Sequence, residues 1–208
     1  MSASRLADSP TRPYPAAVPA RTEEMTVPPF RAHFKEVEIA ICELLAEAER
    51  GVLATLRGDG SPSASFMSFA ADGLTVYCPT AVHARKCQDL QRDPRVAYTL
   101  ARLPGQGASG RLELRMVQMS GRAVLVDDPD EVDYALAVCA RQFRWLASGS
   151  KRAGFERDAR EGRVVFFKVH PVQALWNDNR DSAAWRVLVN FSPDGQVTGV
   201  MPYGPRPA

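Results

Sequence analysis

Arg85 and Lys86 stand side by side within LTVYCPTAVHARKCQDLQRDPRV, Leu74 to Val96, where an apolar β run passes into a short helix and closes on Asp93 and Pro94. An arginine presents a planar fork of donors and a lysine a mobile point charge, so the pair suits a phosphate. Thr80 at the strand-to-helix turn, with the first unpaired amides of the helix, would add donors to the same anion. The competing reading is a solvated helix face, the commoner fate of adjacent charges.

Three histidines occur: His33, His83 and His170. An isolated histidine is most often a surface or hydrogen-bonded structural residue, although titration near neutral pH keeps a chemical role open. His83 stands out because it lies three residues before Lys86, whereas His170, next to Pro171 on a strand, is expected to be structural. Asp127, Asp128, Asp130 and Glu131 could imitate a cation site, but they open a helix, where negative charge complements the dipole. Arg141, Arg144, Lys151 and Arg152 could form a basic rim near a substrate, but a wet helix face is the favoured reading. The chain shows no catalytic triad, paired carboxylate set, metal-binding cluster, glycine-rich dinucleotide loop or P-loop, which argues against ordinary nucleotide-fold enzymes.

These side chains need a scaffold, and 208 residues suit one domain with a substantial core. With 26 basic and 24 acidic residues the formal net charge is +2, so neither nucleic acid nor an anionic membrane is expected as a partner. Cys42, Cys78, Cys87 and Cys139 lack C-x-x-C spacing and read as reduced, mostly buried thiols of a cytoplasmic protein. No apolar run is long enough for a conventional membrane span. Prolines at 10, 13, 15, 19, 28 and 29 interrupt the N-terminal stretch. Residues 1–30 are therefore expected to form a disordered or extended arm and residues 31–208 the folded domain.

Val37, Ala40, Ile41, Leu44, Leu45 and Ala48 recur at helical spacing, with Gly51 placed to end that helix. Gly51–Arg57, Pro62–Ala70 and Leu74–Pro79 then read as strands joined by GDGS and ADG turns. Val96–Ala101 is a fourth strand, and LPGQGASGR a flexible loop. Leu112–Val126 is long for one strand, and Gly121 near its middle predicts a bulge. Asp128, Pro129 and Glu131 form a helix start, followed by the stripe Val132, Leu136, Cys139, Phe143 and Leu146. Arg163–Trp176 and Trp185–Phe191 close the series. About seven strands and two or three helices predict a mainly β, α+β fold, a small antiparallel barrel with flanking helices.

The ordered set of VLATL strand, DG turn, two further strands, the T-x-x-x-x-R-K helix and a D-P-R-V strand resembles the pyridoxamine 5'-phosphate oxidase-like family of FMN-binding split barrels. The resemblance covers roughly Ala46 to Phe191. It implies that Arg85 and Lys86, with Thr80, hold the flavin phosphate, and that Ser65, Phe66, Met67 and Ser68 run beside the isoalloxazine ring. Pro171 and Trp176 resemble the family's P-x-x-x-x-W strand, with Arg186 ten residues beyond. Trp176 and Arg186 are thereby implicated in the flavin site, although Trp176 alone reads equally well as a core aromatic. The family's strand glutamine is matched by Gln118, displaced by two residues from the aligned Met116. His83 would touch the cofactor or, in a heme-binding relative, an iron.

Ser182 and Ala184 occupy positions where vitamin-processing members carry arginine and histidine, and Ser63 and Ser65 stand where those members place a basic residue. These departures argue against pyridoxamine phosphate oxidation itself. The resemblance implies an FMN-dependent oxidoreductase acting on an unidentified small molecule, a homodimer with the cofactor at the subunit interface. The alternatives are an F420- or heme-binding enzyme of the same barrel, or a non-catalytic flavin-binding regulatory protein.

Overall fold

Ser68 and Ala70 are two residues apart, yet they belong to strands at opposite ends of one sheet. That relation fixes the architecture. The computed structural model describes residues 34–105, 107–180 and 186–203. Helix α1 (Phe34–Glu47) leads into β1 (Arg50–Leu56), β2 (Pro62–Ser68), β3 (Ala70–Asp72) and β4 (Thr75–Ala81). Next come α2 (Arg85–Arg92), β5 (Arg95–Arg102), α3 (Gly107–Leu112), β6 (Arg115–Val126) and α4 (Pro129–Gln142). A 3-10 turn (Arg144–Ala147), α5 (Gly149–Arg160), β7 (Val164–Asp178), β8 (Arg186–Phe191) and β9 (Val197–Pro202) complete the described chain. The strands pair in the order β2-β1-β5-β6-β7-β4-β3, with β8 joined to β7 and β9 to β8, and every pairing is antiparallel.

Because β2 and β3 are nearly continuous in sequence, the two ends of this strand order must meet, and the sheet curls into a half-barrel. β2 approaches β4 at the closure without forming a ladder with it. β7 makes the split possible. Its first half, Val164–Val169, pairs with β4, and its second half, Gln173–Asn177, pairs with β8, the exchange occurring around Pro171. Opposite that proline the β6–β7 register shifts between Ser120 and Gly121, the bulge expected from the sequence. A Cβ on Gly121 would lie 2.4 Å from the His170 carbonyl oxygen, so only glycine lets the two strands approach there.

The core lies inside the curl. Ile41, Leu44 and Leu45 of α1 are fully buried against Phe69, Tyr98, Val117, Met119 and Trp176, each aliphatic side chain contributing roughly 1.5–3 kcal/mol by leaving water. A second cluster, including Tyr77, Phe166, Leu136 and Phe143, packs α4 and α5 on the outer side of β3, β4 and β7. Asp128 caps α4 by accepting from the Asp130 and Glu131 amides, with Pro129 in the first turn, and Glu131 pairs with Lys168 at 2.6 Å. These acidic residues serve the helix start, as their spacing predicts.

Several expectations need correction. Among the described residues five helices are present where two or three were expected. Residues read as a glycine loop form α3, and α5 escaped notice because glycines and dense charge, GSKRAGFERDAR, leave it little apolar periodicity. Gly51 does not end α1. It sits inside β1, where a Cβ would meet the Thr99 carbonyl oxygen at 2.4 Å. The run read as one strand to Ala70 divides into β2 and β3 at the fully buried Phe69, and β9 follows the expected last strand. The expected N-terminal arm, with His33, Ser182, Ala184 and Trp185, lies outside the described residues.

Candidate cofactor site

Thr80, one residue before the end of β4, is on the same face as the core residues Val76 and Cys78, is buried, and its hydroxyl oxygen has no hydrogen-bond partner among the described residues. A buried hydroxyl left unpaired is costly, so an orphan at a helix approach marks a place where a ligand would be met. Five residues on, α2 begins at Arg85 behind Ala84, which supplies no side-chain cap. The Cys87 amide donates to the Ala84 carbonyl oxygen at 2.9 Å, which leaves the Arg85 and Lys86 amides to solvent or to an anion. Arg85 is exposed and Lys86 half-buried, and neither makes an ion pair among the described residues. Many surface arginines of this chain do, such as Arg95 with Asp93 at 2.6 Å and Arg152 with Glu156 at 2.8 Å. The helix is anchored behind the cations by its buried residues Cys87, Asp89 and Leu90, and Thr55 of β1 reaches Asp89 at 3.5 Å. Unpaired cations, an uncapped helix start and an orphan hydroxyl are the donor set a phosphate requires. His83 lies exposed in the turn leading to α2.

β2 faces the same closure. Its ladder partner is β1, and no second ladder forms on its other edge among the described residues. The edge amides and carbonyls are thus available to the edge of a planar ring. Met67 points into the core, with Ser65 on the same side, whereas Phe66 and Ser68 point outward. Phe66 is the most exposed large apolar side chain described, at 72%.

Gln118 lies elsewhere, on the outer face of β6. Cross-strand register places it in one row with Thr99 of β5, Leu175 of β7 and Leu188 of β8, and these residues line an open cleft of about 340 Å³ together with Gln173 and Tyr203. Arg186, two residues before Leu188, shares that face. Its backbone oxygen accepts from the Tyr203 amide at 2.8 Å, and its Nε is buried without a partner. Trp176 has the opposite parity: it is 4% exposed and belongs to the barrel core, so its indole is turned away from Gln118 and Arg186. The structure therefore assembles two groups. Thr80, Arg85, Lys86 and the β2 edge gather at the barrel closure, and Gln118 and Arg186 gather on the outer sheet face. Spacing did not single out Thr99 or Gln173, whose signal is strand alternation, legible only once register is known.

His170 lines a separate cleft of about 300 Å³ with Glu38, Cys42 and Asp194. No group of three metal-ligating side chains occurs among the described residues. All four cysteines are free, three of them buried. Burial pushes the Cys139 thiol up to about 12 and Cys78 higher still, aided for Cys78 by Cys139 nearby; such thiols are inert at neutral pH. No helix among the described residues is long and apolar enough to cross a membrane.

A family model for Pyridoxamine 5'-phosphate oxidase matches residues 37–175. General stress protein 26 of Bacillus subtilis is 31% identical over 66 residues, 32% of this chain and 46% of that protein, so the match spans about half of the relative's length. Among solved structures, a pyridoxamine 5'-phosphate oxidase-related, FMN-binding protein from Nostoc punctiforme superposes with a TM-score of 0.55 at 17% identity, covering 87% of this chain and all of that one (100%). A heme-binding protein from Mycobacterium smegmatis superposes with a TM-score of 0.54 at 16% identity, covering 83% and 90% of the two chains. At such identities these structures speak to the fold alone. With its curled antiparallel half-barrel and a family match over more than half of its residues, the chain belongs to the pyridoxamine 5'-phosphate oxidase-like family.

Proposed function

We propose that this protein is a cytoplasmic, homodimeric FMN-dependent oxidoreductase acting on a small molecule. The observation that carries the reading is the corner at the barrel closure, where among the described residues Arg85 and Lys86 are unpaired, the start of α2 is uncapped and the Thr80 hydroxyl has no partner. This set matches a phosphate monoester. Arg85 binds it through its fork of donors, Lys86 adds charge from a half-buried position, and Thr80 donates its hydroxyl proton. The free edge of β2, along Ser65 to Ser68, then offers backbone groups to the planar ring system attached to that phosphate. Bound FMN supplies hydride and electron transfer, which no side chain here offers by itself.

The dimer reading rests on the outer sheet face. The row through Thr99 and Gln118 extends across β1 and β2 to Val52 and Phe66 and, past Leu188, to Met201 of β9. Exposed apolar side chains at both ends of one continuous face suit a self-complementary two-fold contact. Such a contact would supply Gln118 and Arg186 of one copy to the β2 and α2 groove of the other, which explains why one protomer carries the two groups apart. Trp176 enters this reading as a core support and not as a ligand contact. The four free thiols support a reducing compartment.

The test is spectroscopic. The purified full chain is expected to carry or take up FMN and to show the absorption of a flavin, with bleaching by NADPH or NADH and recovery on adding a small acceptor. A protein that binds no FMN on titration, or whose absorption is that of heme, overturns the reading; bound flavin without turnover marks the non-catalytic alternative.

A further inference from the structure

Asn177 on β7 and Arg186 on β8 are register partners across the ladder. Each carries a buried polar atom without a hydrogen-bond partner among the described residues: the Asn177 Oδ1 acceptor and the Arg186 Nε–H donor. Asn177 is only 3% exposed. Its amide orientation follows from its neighbours, since Nδ2 donates to Asn179 Oδ1 at 3.0 Å and Asn179 Nδ2 donates to the Arg111 carbonyl oxygen at 2.5 Å. The carbonyl end of Asn177 is thereby the one left over. Two residues along each strand stand Leu175 and Leu188, which line the Gln118 cleft, so the orphan pair continues the face of that cleft.

An acceptor and a donor side by side, both dehydrated and both unsatisfied, call for a ligand edge that presents one donor next to one acceptor. Resting on the FMN reading above, we infer that Asn177 and Arg186 form a recognition pair for the –NH–C(=O)– edge of a pyrimidinedione ring. The imide N–H of a flavin or a deazaflavin donates to Asn177 Oδ1, and the adjoining ring carbonyl accepts from Arg186 Nε–H. The periphery of a heme offers hydrocarbon and carboxylate and leaves the Asn177 acceptor unmet, so the pair selects against heme. Asn177 is a specificity residue in this account and takes no part in electron transfer.

The experiment is a fluorescence titration of the full chain with FMN, with 5-deaza-FMN and with FMN methylated on the imide nitrogen. FMN and its deaza analogue are expected to bind alike, and the methylated flavin about tenfold more weakly, the worth of one hydrogen bond at a buried partner. Asn177→Leu is expected to bind FMN about tenfold more weakly than the wild type and to lose the preference against the methylated ligand. Equal binding of FMN and methylated FMN by the wild type overturns the inference even if the variant fails to fold. So does an Asn177→Leu protein that retains the full preference. A wild type that binds none of the three overturns the FMN reading itself, a different pattern from insensitivity to methylation.

Discussion

Phe66 and Val52 face each other across the β1–β2 ladder on the solvent side of the sheet, 72% and 42% exposed. A cross-strand apolar pair left in water contributes little to the stability of its own chain, so its cost is most simply met by a partner surface. Phe66→Asp is therefore expected to weaken dimerisation by roughly 2 kcal/mol or more, the worth of an interface anchor. Because Phe66 is mostly exposed, the melting temperature of the monomer should change little. Sedimentation velocity across a concentration series measures the first effect and calorimetry on dilute protein the second.

Among the described residues Arg85 and Lys86 have no carboxylate partners, so removing them takes no ion pair from the described network. Arg85→Ala combined with Lys86→Ala is expected to lower FMN affinity at least about a hundredfold, two charge-assisted hydrogen bonds at about 1.5–3 kcal/mol each. Equilibrium titration measures this, and unchanged affinity would remove the phosphate assignment.

Thr80 gives a prediction in which stability and binding move in opposite directions. Replacing an unsatisfied buried hydroxyl by a methyl group in a strand favours the ligand-free fold, so Thr80→Val is expected to gain about 1 kcal/mol without FMN. The same change should weaken FMN binding roughly tenfold by removing one donor. Urea denaturation with and without ligand separates the two effects.

Arg115 is buried and reaches Glu47 Oε2 at 2.6 Å, while Arg102 bonds the same oxygen. Burial alone would raise the Glu47 carboxyl, but the Arg102 hydrogen bond and the charges of Arg115 and Arg102 outweigh it and hold the group below its ordinary 4.5. Asp178 behaves likewise: burial is outweighed by hydrogen bonds from Arg180 and the charges of Arg180 and Arg115. For carboxyls depressed on folding, the stabilisation is complete above the unfolded value and is lost as pH falls through the folded one. Arg115→Met is expected to cost roughly 3 kcal/mol at neutral pH, the lower end for breaking a buried pair because Glu47 is 39% exposed. It should also flatten the loss of melting temperature on acidification below the ordinary carboxylate range.

Gly121→Ala would place a methyl group 2.4 Å from the His170 carbonyl oxygen and 2.9 Å from Val169 Cγ1. Backbone cannot yield as a flexible side chain does, so a cost of about 1–3 kcal/mol is expected from chemical denaturation, with the bulge widened.

Much of the scaffold was legible beforehand. The period of α1, the Asp128–Pro129 start of α4, the Gly121 bulge and the order of the principal strands follow from spacing and local chemistry, because turns, caps and amphipathic stripes are decided by residues close in sequence. α5 was not legible, since its glycines and dense charge leave only Ala159 buried along it, and its contact through Phe155 on Phe166 of the following strand adds no helical stripe. Gly51 misled because a close strand approach and a helix stop ask for the same residue.

For the site, the sequence by itself determined the local part: Arg85 and Lys86 at a helix start, with Thr80 one turn before it. Only the tertiary structure decided which of the remaining residues could join them. Face assignment along a strand has a period of two, so Trp176 and Asn177, adjacent in sequence, point to opposite sides, one into the core and one toward Arg186. Neither the parity nor the orphaned atoms that follow from it can be read before strand register is set by partners far away in the chain.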